Sequence, residues 1–349
     1  MDVDPESDPA AALAALGVRI GRLPPGPANA ITDVAGVRVG HATVVRGPDV
    51  RTGVTAVLPH GGDVFRDRVE AAVHVINGFG KSVGLPQVHE LGELETPILL
   101  TGTLSVWRAA DALTGILLRR HPDVRSFNPV VCECNDGHLN DAAARAVGPG
   151  EVAGALDAAG AGKVAEGCVG AGTGMSGFGF KAGIGTSSRK VAARTVGVLV
   201  LTNTGAAGEL RIDGIPVGAE LARRRGAGPG PGDGSIIILM ATDAPLSSRQ
   251  LGRLARRGGF GLARAGATAA HGSGDFVLAF SSTARARPSA PRVPEEAMSE
   301  LFAATIEATE EAIVRSLLAA RTTRGRAGHV REALPLDEVA AIARRYRPR

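Results

Sequence analysis

The chain has 349 residues, 44% hydrophobic and only 3% aromatic, with 39 Lys and Arg against 35 Asp and Glu for a formal charge of +4. That is enough apolar material for one or two sizeable cores filled by aliphatic side chains and alanine, and too few rings for a base-stacking nucleic-acid surface. Arg223–Arg225, Arg256–Arg257 and Arg344–Arg345 lie in separate segments and read as solvated faces, not a polyanion site, and no apolar run approaches the ~20 residues needed to span a bilayer.

The first stretch, MDVDPESDPAAALAAL, is acidic and lacks the basic start and apolar core of a secretory signal. Residues 1 to about 30 carry few structure signals, and PPGPANAITD reads as a loop. Val37–Val39 and His41–Val45 read as strands punctuated by Gly36 and Gly40. Val54–Leu58 is a further strand ending at Pro59. The turn His60-Gly61-Gly62-Asp63 after it is a connection in which His60 could carry chemistry. Residues 66–76, RDRVEAAVHVI, have helical periodicity. NGFGKSVGL is glycine-rich but lacks the spacing of a phosphate loop.

Thr96–Thr103 reads as a strand, Leu104–Arg119 as a helix holding the only tryptophan, Trp107, and Asn128–Glu133 as another strand. The polar cluster Asn135–Asp141 follows at a strand end, where binding groups concentrate, ahead of a helical run AAARAV. Cys132, Cys134 and Cys168 are odd in number and irregularly spaced, which suits a reducing compartment and a cytoplasmic protein. Cys132 and Cys134 could be half of a metal site. No second pair completes it, so they read as packing thiols and no metal is expected.

Residues 163–188 read as glycine-rich strands and turns where backbones pass closely; GAGTGMSG departs from the dinucleotide fingerprint. Thr195–Thr202 is a buried strand ending at Asn203-Thr204-Gly205. Gly226–Gly234 is nearly all glycine and proline and cannot be helix or central strand. Ile236–Met240 then reads as a buried strand, with Ser235 at the junction. A hydroxyl at the start of a buried strand can be held rigidly as a nucleophile, and Gly234 leaves the preceding carbonyl open to attack; Gly-Ser is also a common turn pair. The remaining elements are a helix at Ser248–Arg257, with GFGLARAGATAA continuing as helix or turn, a strand at Phe276–Phe280, a long helix over 295–320, and a helix at Asp337–Tyr346 capped by Asp337. The mixture indicates a layered α/β or α+β fold without a convincing domain boundary.

Taken in order, ITDVAGVRVGHATV, GVTAVLPHGGDVF, NPVVCECNDGHLND, GAGTGMSGFGFKAGIGTSSR, VGVLVLTNTG, GDGSIIILMATDAPL and HGSGDFVLAFSS resemble the self-processing aminopeptidase family of the L-aminopeptidase/D-amidase-esterase (DmpA) and the β-aminopeptidases. The likeness spans about residues 31 to 282. It implies a single α+β domain, a four-layer αββα sandwich, whose chain cuts itself between Gly234 and Ser235 into fragments 1–234 and 235–349 that stay together. It also implies homo-oligomers of these pairs, commonly four, no cofactor, and removal of N-terminal residues from peptides, amides or esters with a free amino group.

The chemistry has its own logic. A serine hydroxyl is a poor nucleophile and needs a base; once cut free, Ser235 would carry an α-amine of pKa ~8 able to accept its proton. The family's assisting serine and acid match Ser273 and Asp275, where some relatives carry glutamate. Its oxyanion-binding asparagine matches Asn203, and Glu133 is the candidate for the substrate's ammonium group. The family also places a tyrosine near the oxyanion, whereas Tyr346 is the only one here; Asn135, His138 or a backbone N–H could stand in. Two competing readings are an acyltransferase of the ornithine-acetyltransferase type, whose members usually cut before threonine, and an unprocessed, non-catalytic assembly protein. Preference among L-α, D- and β-amino acids stays open.

Overall fold

Unbroken apolar runs such as GVLVLT and IIILM need cover on both faces, and the computed structural model, which describes residues 8–225, 234–283 and 291–346, places both in a sheet that has it. The elements in chain order are α1 (Pro9–Ala15), β1 (Arg38–Arg46), β2 (Val50–Leu58), β3 (Val69–Gly78), α2 (Leu85–Leu91), β4 (Glu93–Leu94), β5 (Ile98–Gly102), α3 (Val106–Arg120), β6 (Val130–Cys134) and α4 (Pro149–Asp157). They continue with β7 (Ser176–Gly177), β8 (Phe180–Lys181), β9 (Ile184–Val191), β10 (Arg194–Asn203), α5 (Val217–Arg225), β11 (Ser235–Thr242), α6 (Ser248–Ala265) and β12 (Gly274–Ser281), then α7 (Met298–Leu318), β13 (Thr323–Arg324), β14 (Val330–Arg331) and α8 (Leu336–Tyr346). The protein is thus a mixed α+β fold. No helix among the described residues is long and apolar enough to cross a membrane.

A six-stranded sheet runs in the order β4-β3-β12-β11-β10-β9, and a four-stranded sheet in the order β1-β2-β5-β6. In the larger sheet only β11 and β12 pair in parallel, joined by the crossover helix α6; β5 and β6 are the parallel pair of the smaller one, joined through α3. Alternate residues of β10 and β11 serve different cores, as the period of a strand requires. Val198, Val200, Ile236 and Ile238 pack with Leu251 and Leu254 of α6 and Ile313 and Leu317 of α7. Leu199, Leu201, Ile237 and Leu239 pack instead with Val57, Ile98, Leu100 and Val130 of the smaller sheet. The smaller sheet's other face, with Val54, Leu99 and Val131, meets Leu113 and Ile116 of α3 and Val152 of α4. Each such side chain contributes about 1.5–3 kcal/mol on burial.

Helix α7 turns carboxylates inward, and they are paired. Arg189 of β9, 1% exposed, donates to Glu307 at 3.2 Å and Glu311 at 2.6 Å. Arg315 of α7 forks onto Glu166 at 2.6 and 3.1 Å. Helix α6 opens on a capping box, Ser247 with Gln250, and closes at Gly266, whose φ of 105° suits glycine.

Four expectations are corrected. Residues 66–76 are largely strand β3: Val69 and Ala71 face the inter-sheet core while Ala72 and Ile76 face α6, so burial on both sides mimics a helical stripe. The run AAARAV makes only a single 3-10 turn at Ala142–Ala144, and the helix comes later as α4. Pro9–Ala15 is helical, with Asp8 as its N-cap. Helix α6 continues through the glycines to Ala265, the helical one of the two readings for that stretch. Asp337 lies inside the first turn of α8, favourable to the helix dipole, rather than capping it. Of the Gly226–Gly234 loop reading, all but Gly234 lies outside the described residues.

Candidate active site

Ser235 opens β11, and its neighbours are fixed by register: Asn203 at the end of β10 on one side, Gly274 at the start of β12 on the other. It is 7% exposed, and its Oγ accepts a hydrogen bond from the Gly274 N–H at 3.1 Å. Glycine at 234 is a steric requirement, because a Cβ there would stand 2.0 Å from the Asn203 carbonyl oxygen. The peptide bond ahead of Ser235 is therefore pressed against the end of β10.

Asn203 uses its side-chain oxygen to accept from the Ser176 N–H at 2.9 Å. A backbone N–H can only donate, so the oxygen must be the end that faces it, and the amino group is left as the donor end.

Ser273 and Asp275 are fully buried beside this junction, and the Ser273 hydroxyl donates to Asp275 Oδ1 at 2.6 Å. Asp275 Oδ2 is buried without a partner. Burial pushes the Asp275 carboxyl up to about 6, partly offset by the hydrogen bonds it accepts, that from Ser273 first.

Ser235, Gly234 and Asn203 open into a cavity of about 490 Å³, within the range of small-molecule sites. Glu133, Asn135 and His138 line the same cavity. Glu133 is 2% exposed at the end of β6; it accepts from the Lys81 N–H at 2.8 Å and from the Thr103 hydroxyl. The cluster after β6 is shaped by Asp136, which is buried and accepts from Thr52 at 2.6 Å and Asn140 at 3.1 Å. Asn135 is exposed and accepts from the Gly137 N–H at 2.9 Å. The structure thus brings together Ser235, Asn203, Glu133, Asn135 and His138 around one space, with Ser273 and Asp275 at the start of the neighbouring strand β12.

Other candidates lie elsewhere. His60 contacts the Asp67 carbonyl at 2.7 Å in its own turn, away from the cavity. Tyr346 donates to Glu220 at 2.7 Å from α8. Cys132 and Cys134 are buried free thiols in the inter-sheet core. Among the described residues no group of three or more His, Cys, Asp or Glu side chains is placed to hold a metal.

This arrangement, a serine after a glycine at a central strand's start, has a family. The sequence model of peptidase family S58 matches residues 29–331. The chain belongs to peptidase family S58. It is a hydrolase of the peptidase class.

Among its relatives, the β-peptidyl aminopeptidase BapA of Sphingosinicella microcystinivorans is 42% identical over 93% of this chain and 89% of its own. A β-aminopeptidase of Burkholderia sp. superposes with a TM-score of 0.89 at 41% identity, covering 96% of this chain and 99% of its own. The L-aminopeptidase D-Ala-esterase/amidase of Ochrobactrum anthropi, described as a prototype of the serine aminopeptidases and a variant of the Ntn hydrolase fold, superposes at 0.84 with 34% identity, covering 95% and 97%.

This S58 peptidase also lines its cavity with residues that sequence reading passed over. Phe79 and Lys81 come from NGFGKSVGL, whose glycines mark a turn without marking a site. Thr103 ends the TPILLTGT strand, a strand-end signal that could have found it. Arg326 and Arg331 come from the segment between α7 and α8, where no local pattern points to a site.

Proposed function

We propose that the protein is an N-terminal serine aminopeptidase/amidase-esterase that first cuts its own chain between Gly234 and Ser235. The observation that carries this reading is the Gly234–Ser235 junction itself, opening into a cavity whose wall includes the buried acid Glu133.

In the first reaction Ser235 Oγ bonds to the Gly234 carbonyl carbon and the Gly234–Ser235 C–N bond breaks. The resulting ester is hydrolysed by water, which leaves Gly234 with a carboxylate and Ser235 with a free α-amine. Ser273, polarised by the Asp275 carboxylate, relays the proton. In the second reaction the same oxygen attacks the acyl carbon of a substrate whose ammonium group is held by Glu133. The α-amine takes the hydroxyl proton and passes it to the leaving amine or alcohol, and water then releases the acyl group. The Asn203 amino group donates to the oxyanion, a contribution of about 2.7–4 kcal/mol.

Fragments 1–234 and 235–349 would remain one domain because β11 and β12 of the second lie between β3 and β10 of the first in one sheet. The three hydrophobic clusters, alternating helices and sheets, support reading the layers as αββα. An oligomer of two-fragment protomers, commonly four, and a cytoplasmic location, which suits the free thiols, complete the proposal. The family match and the serine at 235 do not favour an acyltransferase.

The test is intact mass of the purified protein, expected as two fragments meeting at Gly234/Ser235, with release of aniline from aminoacyl anilides. Ser235→Ala should give one whole, inactive chain. Processing of that variant would remove Ser235 as the cutter.

A further inference from the structure

Granting the aminopeptidase reading, the cavity holds more positive charge than the reaction uses. Its acid, Glu133, already accepts from Lys81 N–H and the Thr103 hydroxyl. Opposite chemistry comes from the β13–β14 hairpin, which contributes Arg326 and Arg331 to the lining. Among the described residues neither guanidinium is paired with a carboxylate, whereas Arg189, Arg225, Arg253 and Arg315 are. Arg331 Nε is buried without a hydrogen-bond partner, and so is His138 Nε2. Buried polar atoms without partners are costly, and these two residues line one cavity.

The hairpin is held in place. The Arg326 N–H donates to the Leu139 carbonyl at 2.8 Å, the Ala327 N–H to Asp49 at 2.9 Å, and Arg51 Nε to the Arg324 carbonyl at 2.9 Å. The His138 and His329 rings stack at 4.7 Å and 11°. Gly325 passes so close to Leu139 that a Cβ would stand 2.0 Å from its carbonyl oxygen. The hairpin backbone that carries the two arginines is therefore in place before any ligand arrives.

We propose that Arg331, with Arg326 and His138, receives a carboxylate on the leaving half of the substrate, so that the preferred substrates are short peptides whose departing amine carries that carboxylate. A guanidinium presents a planar fork that matches a carboxylate's two oxygens. Burial lowers the Arg331 pKa with no acid opposing it, although a guanidinium stays charged in a protein. Burial first, then Arg331 and His329, hold the His138 pKa below its usual value. With Glu133 taking the ammonium group, the cavity then selects substrates charged at both ends. The carboxylate is either the terminal one of a dipeptide or an acidic side chain on its second residue.

The experiment uses the processed protein and one aminoacyl group X that it accepts as a p-nitroanilide. Rates are compared for X-Ala, X-Ala-amide and X-Asp-amide, in the parent and in Arg331→Gln, Arg331→Lys and Arg326→Gln. The parent should favour X-Ala over X-Ala-amide by at least tenfold in kcat/KM, through KM. Arg331→Gln should abolish that ratio, Arg331→Lys recover part of it, and Arg326→Gln reduce it less. A preference shown by X-Asp-amide instead assigns the side-chain carboxylate. Turnover of the anilide with no carboxylate preference, or equal losses on all substrates in Arg331→Gln, overturns this inference alone. If no aminoacyl p-nitroanilide is accepted, so that no X exists, the aminopeptidase reading is overturned, and this inference with it.

Discussion

Asp275 offers the sharpest test of the proton relay. It is wholly buried, its Oδ1 accepts from Ser273 at 2.6 Å, and its Oδ2 has no partner. Burial raises its pKa from 3.8 to about 6, a change worth on the order of 3 kcal/mol in favour of the protonated form inside the fold. The folded state therefore holds this proton more tightly than the unfolded chain. Stability from this group is fully present below pH ~4, declines as the pH rises to about 6, and is flat above. In a Ser235→Ala background, where the chain stays whole, the Tm of the Asp275 protein minus that of its Asp275→Asn counterpart should fall by about 5 °C across that window. Self-cleavage should show the opposite dependence, because the relay needs the carboxylate. Precursor refolded from denaturant, before any α-amine exists, should cut at a plateau rate above pH 6 and about tenfold more slowly per pH unit below it. Cleavage is followed by mass spectrometry after acid quench. A rate independent of pH from 5 to 7, or an unchanged acid limb in Asp275→Asn, would refute the relay.

Three further outcomes follow from named contacts. Asn203→Asp keeps an oxygen for the Ser176 N–H but removes the donor, and should cost about 10²–10³ in kcat on an anilide with KM little changed. Gly234→Ala forces a Cβ to within 2.0 Å of the Asn203 carbonyl oxygen, so the scissile bond must shift; intact mass should show a largely uncut chain. Glu166→Ala strips Arg315 of its two-pronged partner, and denaturant unfolding should report a loss of about 3–5 kcal/mol.

Much of the site was legible because strand ends announce themselves. VGVLVLT stops at Asn203, IIILM starts after Ser235, and VVCE stops at Glu133. Each apolar run must lie inside, so the polar residue at its edge sits at the rim of a sheet. Register then does the rest: β10 and β12 flank β11, which sets Asn203 and Gly274 beside Ser235 without any loop having to close. Strand β3 hides in the sequence for the complementary reason. Cover on both faces erases the period of two, and the β-branched Val69, Val73, Val75 and Ile76 were the signal that should have outweighed the spacing.

The positive wall could not be read at all. Arg326 and Arg331 sit between helices in a segment of charged and small residues, and nothing local distinguishes them from the exposed arginines elsewhere. Their position depends on a backbone contact between Arg326 and Leu139, 187 residues apart in the chain, which no local pattern encodes. The residues proposed to perform the chemistry are tied to the sheet and inherit its regularity. The arginines proposed to face the leaving half of a substrate hang on a hairpin whose place is set by tertiary contact. Substrate preference, left open by the sequence, would then turn on a part of the cavity that only tertiary contacts position.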